Sequence, residues 1–142
     1  FPSGGLFMVK ITKQAKIEYL HELMEFVSNN ALRHGFSQKK IKEIELVTEE
    51  VLMNIISYAY ENDAGDIEIN CWKDNDKRFI TEIVDTGKHF DVLSGKEPDL
   101  ISDIDEREVG GLGLFFMKQF MDDVQYQREE GKNILTLAVQ QD

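Results

Sequence analysis

Apolar residues recur along this 142-residue chain with two different periods, and the switch between them marks out the elements. Residues 6–11 are a short apolar stretch and predict a strand. Ile17, Leu20, Met24, Val27 and Ala31 then follow at three- and four-residue intervals, the spacing of one face of a helix. That first amphipathic helix should end near Gly35, with Thr12 as its N-cap. Ser37 offers a cap for a second helix, whose apolar stripe is Ile41, Ile44, Val47, Val51, Ile55 and Tyr58, running to about Tyr60. Beyond the turn-forming run 62–65 the period drops to two. Ile67, Ile69 and Cys71 share one strand face, and Phe79, Thr81, Ile83 and Asp85 share the next, which predicts a hairpin. Residues 92–109 have no period and read as a mobile, solvated loop. A third helix follows over about 113–121. Strands at 124–129 and 134–139, joined by a turn at 130–133, complete the chain.

Strands in hairpins with helices before and between them predict an α+β two-layer sandwich: a mixed, mostly antiparallel sheet covered on one face by helices. The length suits one domain over residues 6–142. Phe1-Pro2-Ser3-Gly4-Gly5 has no periodicity and reads as a tag or a frayed terminus over residues 1–5.

Charge narrows the function. With 16 Lys+Arg against 27 Asp+Glu, the net charge is -11. Neutralising nucleic-acid phosphates needs a basic surface, and an anionic membrane repels an acidic one, so neither is expected as a direct partner. No apolar run approaches the ~20 residues that span a bilayer. A lone Cys71 and the lack of a secretion signal point to the cytoplasm, with Cys71 as a small buried hydrophobe.

Three groups of residues could carry chemistry. Glu50 and Asn54 are one helical turn apart and flank the apolar stripe, so they should sit at the rim of the core. A carboxylate there can take a proton, and an amide oxygen can ligate a hard cation such as Mg²⁺. Asp85-Thr86-Gly87 stands where a strand stops: the Asp can accept a hydrogen bond from an exocyclic amine, and the Gly permits close approach. Gly110-Gly111-Leu112-Gly113-Leu114 opens the third helix, where free N–H groups suit an anion such as phosphate. No Gly-Lys-Ser/Thr follows, so this is not a Walker loop.

In this order, the motifs resemble the Bergerat-type ATP-binding domains of gyrase, heat-shock chaperones and histidine kinases. The runs Glu49–Asn54, Asp85–Asp91 and Gly110–Leu114 are most similar to the anti-sigma factor serine kinases of bacteria. The resemblance covers about residues 9–139 and implies ATP and Mg²⁺ as cofactors. It implies Glu50 as the base that activates the attacking hydroxyl, and Asn54 as the Mg²⁺ ligand. Asp85 would bind the adenine amino group, with Gly87 allowing the ring close. Gly110, Gly111, Leu112, Gly113 and Leu114 would wrap the phosphates, and residues 92–109 would form the lid. Thr136 falls where a Thr often supports the adenine-binding Asp. The family commonly has His where Tyr58 stands, and an Arg where Val109 stands; Arg107, two residues earlier, is then the candidate for the terminal phosphate.

The resemblance thus implies an anti-sigma factor that binds a sigma factor and phosphorylates a Ser or Thr on an antagonist protein. Homodimers are common in that family. A binding module without phosphotransfer is the alternative, and a detached sensor-kinase ATP domain acting on histidine is a third reading.

Overall fold

A computed structural model describes residues 8–60, 65–88 and 112–141, the side chains of 112–114 apart. Five strands, β1 (Val9–Gln14), β2 (Asp66–Lys73), β3 (Arg78–Asp85), β4 (Asp123–Glu129) and β5 (Lys132–Gln140), form one sheet in the order β1-β2-β3-β5-β4. Every neighbouring pair among these strands is antiparallel. Three helices, α1 (Leu20–Arg33), α2 (Gln38–Asn54) and α3 (Leu112–Phe120), complete the α+β arrangement.

The period-two pattern of the strands decides which face the helices cover. Ile67, Ile69 and Cys71 of β2, Ile83 of β3 and Leu135, Leu137 and Val139 of β5 are all buried. They meet Leu23, Val27 and Ala31 of α1 and Ile41, Ile44, Val47 and Val51 of α2 in one core. Ser37 caps α2 as its sequence suggests, its Oγ accepting the Lys40 N–H at 3.2 Å. Gly35, at φ 83°, takes the left-handed conformation that ends α1. Glu130 and Gly131, at φ 50° and 77°, make the two-residue turn whose twist matches a hairpin.

Two local expectations fail for identifiable reasons. Thr12 is not a helix cap: it lies inside β1, paired with Glu68. The Ala15 N–H still donates to the Gly65 carbonyl at 2.8 Å, so extended pairing continues past Thr12. A single 3₁₀ turn (Ile17–Tyr19) then leads into α1, whose N-cap Tyr19 makes no side-chain cap bond. Tyr58 is not on the apolar stripe either, being 45% exposed. After Asn54 the helix widens into a π turn (Ile55–Ala59), and the wider turn rotates later positions away from the face that 3.6-residue spacing assigns them. On α3, Met117 is buried whereas Phe115 is exposed, and Phe116 stacks on Phe120.

Candidate functional site

The π turn opens a cleft between the end of α2 and the ends of β3 and β5. About 540 Å³ of empty space, open solvent included, is lined by Val51, Asn54, Ile55, Tyr58, Ala59, Ile83, Asp85, Lys88, Tyr126, Asn133 and Leu135. Its walls are mainly apolar and its few polar groups converge, the usual make-up of a small-molecule site.

Asp85 is the most constrained of these polar groups. It faces the core because it alternates with buried Ile83, and it is itself only 5% exposed. Its Oδ1 accepts two hydrogen bonds, from the Gly87 N–H at 2.9 Å and from Asn133 Nδ2 at 2.9 Å. Its Oδ2 accepts none among the described residues. A buried carboxylate with one oxygen saturated and the other uncommitted is a fixed acceptor for a ligand N–H.

The chain just after Asp85 is held from several sides. Lys88 N–H donates to the Ala59 carbonyl at 2.9 Å, and Arg128 Nη1 donates to the Gly87 carbonyl at 2.7 Å. Asn133 Nδ2 also reaches the Lys88 carbonyl at 2.9 Å. Thr86 N–H donates to the Tyr60 hydroxyl at 2.8 Å, which in turn donates to the Asp66 carbonyl at 2.8 Å. A rigid loop therefore forms one wall of the cleft, with the exposed Lys88 side chain at its rim.

Asn54, the last residue of α2, lines the same cleft. It is buried, and its carboxamide has no hydrogen-bond partner among the described residues. An unspent amide oxygen bordering a cleft fits the oxygen-donor demand of Mg²⁺. Among the described residues no three His, Cys, Asp or Glu side chains cluster into a possible metal cage. Glu50, one turn earlier and half-buried, does not line the cleft. Burial, and then the neighbouring Glu49 carboxylate, hold its carboxyl above the usual range.

The remaining sequence candidates fall in three places. Leu112, Gly113 and Leu114 begin α3, which packs on α2. Arg107, Gly110 and Gly111 lie outside the described residues, as does the proposed lid, residues 92–109. Thr136 is a correction. It pairs with Glu82 and lines a groove with Trp72, Ile80 and Gln125 on the sheet face away from the helices. Strand alternation forbids it from reaching Asp85, whose register partner is Asn133. Asn133 and Tyr126 are the site residues that sequence reasoning missed. The signal was available: Leu135, Leu137 and Val139 mark the core face, and Asn133 extends that series by two.

Comparisons with known proteins agree with this fold. Residues 14–139 match the histidine kinase-like ATPase domain. The chain is 31% identical over 133 residues to serine-protein kinase RsbW of Listeria monocytogenes serovar 1/2a, covering 89% of this chain and 84% of that protein. It is 30% identical over 125 residues to serine-protein kinase RsbW of a Bacillus cereus strain, covering 85% of this chain and 78% of that protein. A crystal structure of the RsbU and RsbW domains of a Mycobacterium tuberculosis protein superposes with a TM-score of 0.68 at 15% identity, over 95% of this chain and 32% of that one. The blue-light activated histidine kinase of Erythrobacter litoralis superposes with a TM-score of 0.57 at 12% identity, over 86% of this chain and 40% of that one. This chain thus spans less than half the length of either structural neighbour. The chain belongs to the histidine kinase-like ATPase domain family, in the branch of the RsbW serine-protein kinases. No helix among the described residues is long and apolar enough to cross a membrane.

Proposed function

We propose that the protein is an anti-sigma factor and a serine/threonine protein kinase: it binds a sigma factor in the cytoplasm and uses Mg²⁺-ATP to phosphorylate an antagonist protein. The observation that carries the nucleotide part is Asp85, buried with Oδ1 saturated and Oδ2 uncommitted among the described residues, in the same cleft as the Asn54 amide. The protein-kinase part leans on the similarity to the RsbW serine-protein kinases.

In this reading Asp85 Oδ2 accepts the adenine amino group, and the backbone at Gly87 lets the ring lie flat against the loop. Asn54 holds Mg²⁺, which supplies neutralisation of the phosphate charge. Gly110, Gly111, Gly113 and the N–H groups opening α3, with Leu112 and Leu114, wrap the phosphates, and Arg107 reaches the terminal one. Glu50 takes the proton of the incoming Ser or Thr hydroxyl as its oxygen bonds to the terminal phosphorus and the bond to ADP breaks. Its raised pKa suits a group that must accept that proton. Glu50 stands one helical turn before Asn54, outside the cleft lining.

An acidic surface fits the partner as well. A net charge of -11 complements a basic sigma factor, while backbone N–H groups and Mg²⁺ carry most of the phosphate binding and need few Lys or Arg. The test is transfer of label from the terminal phosphate of Mg²⁺-ATP to candidate antagonist proteins, repeated with Glu50→Gln. Transfer by the natural protein and a loss of about 10²–10⁴-fold in the variant are expected. Transfer that survives the substitution overturns the role of Glu50, and absence of transfer to any candidate leaves a nucleotide-dependent binding module.

A further inference from the structure

Asn133 is committed on three sides. Both hydrogens of its Nδ2 are used, one on Asp85 Oδ1 at 2.9 Å and one on the Lys88 carbonyl at 2.9 Å. Its Oδ1 accepts the Tyr126 hydroxyl. Asn133 is 6% exposed, so these bonds are made away from water, where satisfying or orphaning a polar group matters most.

We infer that Tyr126 and Asn133 are positioning residues that lock Asp85 in one rotation and thereby make the cleft prefer a 6-aminopurine over a 6-oxopurine. The inference rests on reading the cleft as a purine nucleotide site.

Hydrogen-bond direction separates the two bases. A 6-aminopurine presents a donor, N6–H, where a 6-oxopurine presents an acceptor, O6. The 6-oxopurine carries its nearest donor, N1–H, one ring position away. A carboxylate that can swing follows either donor and discriminates poorly. Asp85 cannot swing while Oδ1 is held by both the Gly87 N–H and Asn133 Nδ2, because turning breaks two bonds in a buried site. Oδ2 is then fixed where it meets N6–H and repels O6.

Asn133 in turn holds Asp85 only while its amide faces the right way. Rotated by half a turn, it presents an oxygen to the carboxylate, and two acceptors repel. The Tyr126 hydroxyl, a donor at that oxygen, sets the orientation. Asn133 has no hydrogen left for the base and acts through Asp85. Tyr126 reaches from the edge strand β4, so purine choice at the centre of the fold depends on a hydroxyl at its margin.

Tyr126→Phe removes that hydroxyl and keeps the ring. Binding of ADP and of inosine diphosphate, measured by calorimetry, gives the ratio that matters, because the two share every phosphate and sugar contact. The natural protein is expected to favour ADP, with Tyr126→Phe reducing the ratio about fivefold and Asn133→Ala by more. A second readout needs no ligand. The Gly87 amide donates to the same Asp85 oxygen, so its proton resonance should shift and its hydrogen exchange quicken in both variants. Equal losses for the two nucleotides would indicate a merely structural role and overturn the inference, as would an unchanged ratio with an unmoved Gly87 amide. A natural protein that binds neither nucleotide sinks the reading of the cleft and the selectivity together. A selective natural protein with unaltered variants sinks only the positioning role.

Discussion

Gly87 lies so close to Ala59 that a Cβ on it would run into the Ala59 carbonyl oxygen, the same oxygen that accepts the Lys88 N–H at 2.9 Å. The close approach joins the loop after β3 to the π turn after α2, the segments that follow Asp85 and Asn54, and both of those residues line one cleft. Gly87→Ala pushes against backbone, which cannot rotate aside as a long side chain can. The variant should lose about 1–3 kcal/mol of stability, read from denaturant unfolding, and should bind adenine nucleotide more weakly because the loop that carries Asp85 is displaced.

Glu50 gives a pH dependence whose sign is fixed. Burial raises its folded-state pKa above 4.5, so the folded protein holds that proton more tightly than the unfolded chain does. Its contribution to stability is complete below the unfolded value and is lost as the pH rises through the folded one. Glu50→Gln removes this loss. The variant should be more stable than the natural protein at neutral pH, and the two should converge below about pH 4, as thermal melts across that range would reveal. Phosphotransfer by the natural protein should rise with pH as the same carboxyl ionises. A melting difference that grows on acidification contradicts the assignment.

Cys71 is buried against Thr81, and burial pushes its thiol up to about 12. At about pH 8 almost no thiolate exists, and the thiolate is the reactive form. Iodoacetamide should leave the folded protein unmodified at that pH and label it fully in denaturant. Stability held by the neutral thiol should fade as the pH rises above the ordinary value of 9.0.

Lys88 supplies the one cationic side chain among the described residues lining the cleft. Its backbone is fixed at both its N–H and its carbonyl, so Lys88→Gln changes charge without moving the loop. Weaker binding of ADP, by about three- to tenfold, with little change for adenosine is expected if the ammonium meets the phosphates. Calorimetry at two salt concentrations checks it, since a charge effect shrinks in the higher one.

Much of the fold was legible because its elements obey their periods without interruption. α2 begins at its Ser37 cap, and β2 and β3 pair as the hairpin that the period-two pattern predicts. The failures are all places where something non-local intervenes. Pairing with β2 carries β1 through Thr12, and the π turn moves Tyr58 outward, neither of which a 3.6-residue template contains. Asp85 and Gly87 stood out as candidates by residue type at a strand end, and Asn54 by lying one turn after Glu50 beside the apolar stripe. Thr136 misled because motif order gives only approximate distance along a strand, whereas a strand's face changes at every residue. Asn133 passed as a turn residue although it continues the core-face series of Leu135, Leu137 and Val139; the β3–β5 register sets it opposite Asp85.

The central claim is that the cleft between α2 and the end of β3 binds adenine nucleotide through Asp85. Calorimetric titration of the natural protein and of Asp85→Asn with ADP and Mg²⁺ tests it most directly. Replacing Oδ2 by either end of an amide removes the fixed charged acceptor, so binding to the natural protein with at least about tenfold weakening in the variant is the predicted result. Equal affinity in the two proteins, with both correctly folded, would contradict the account.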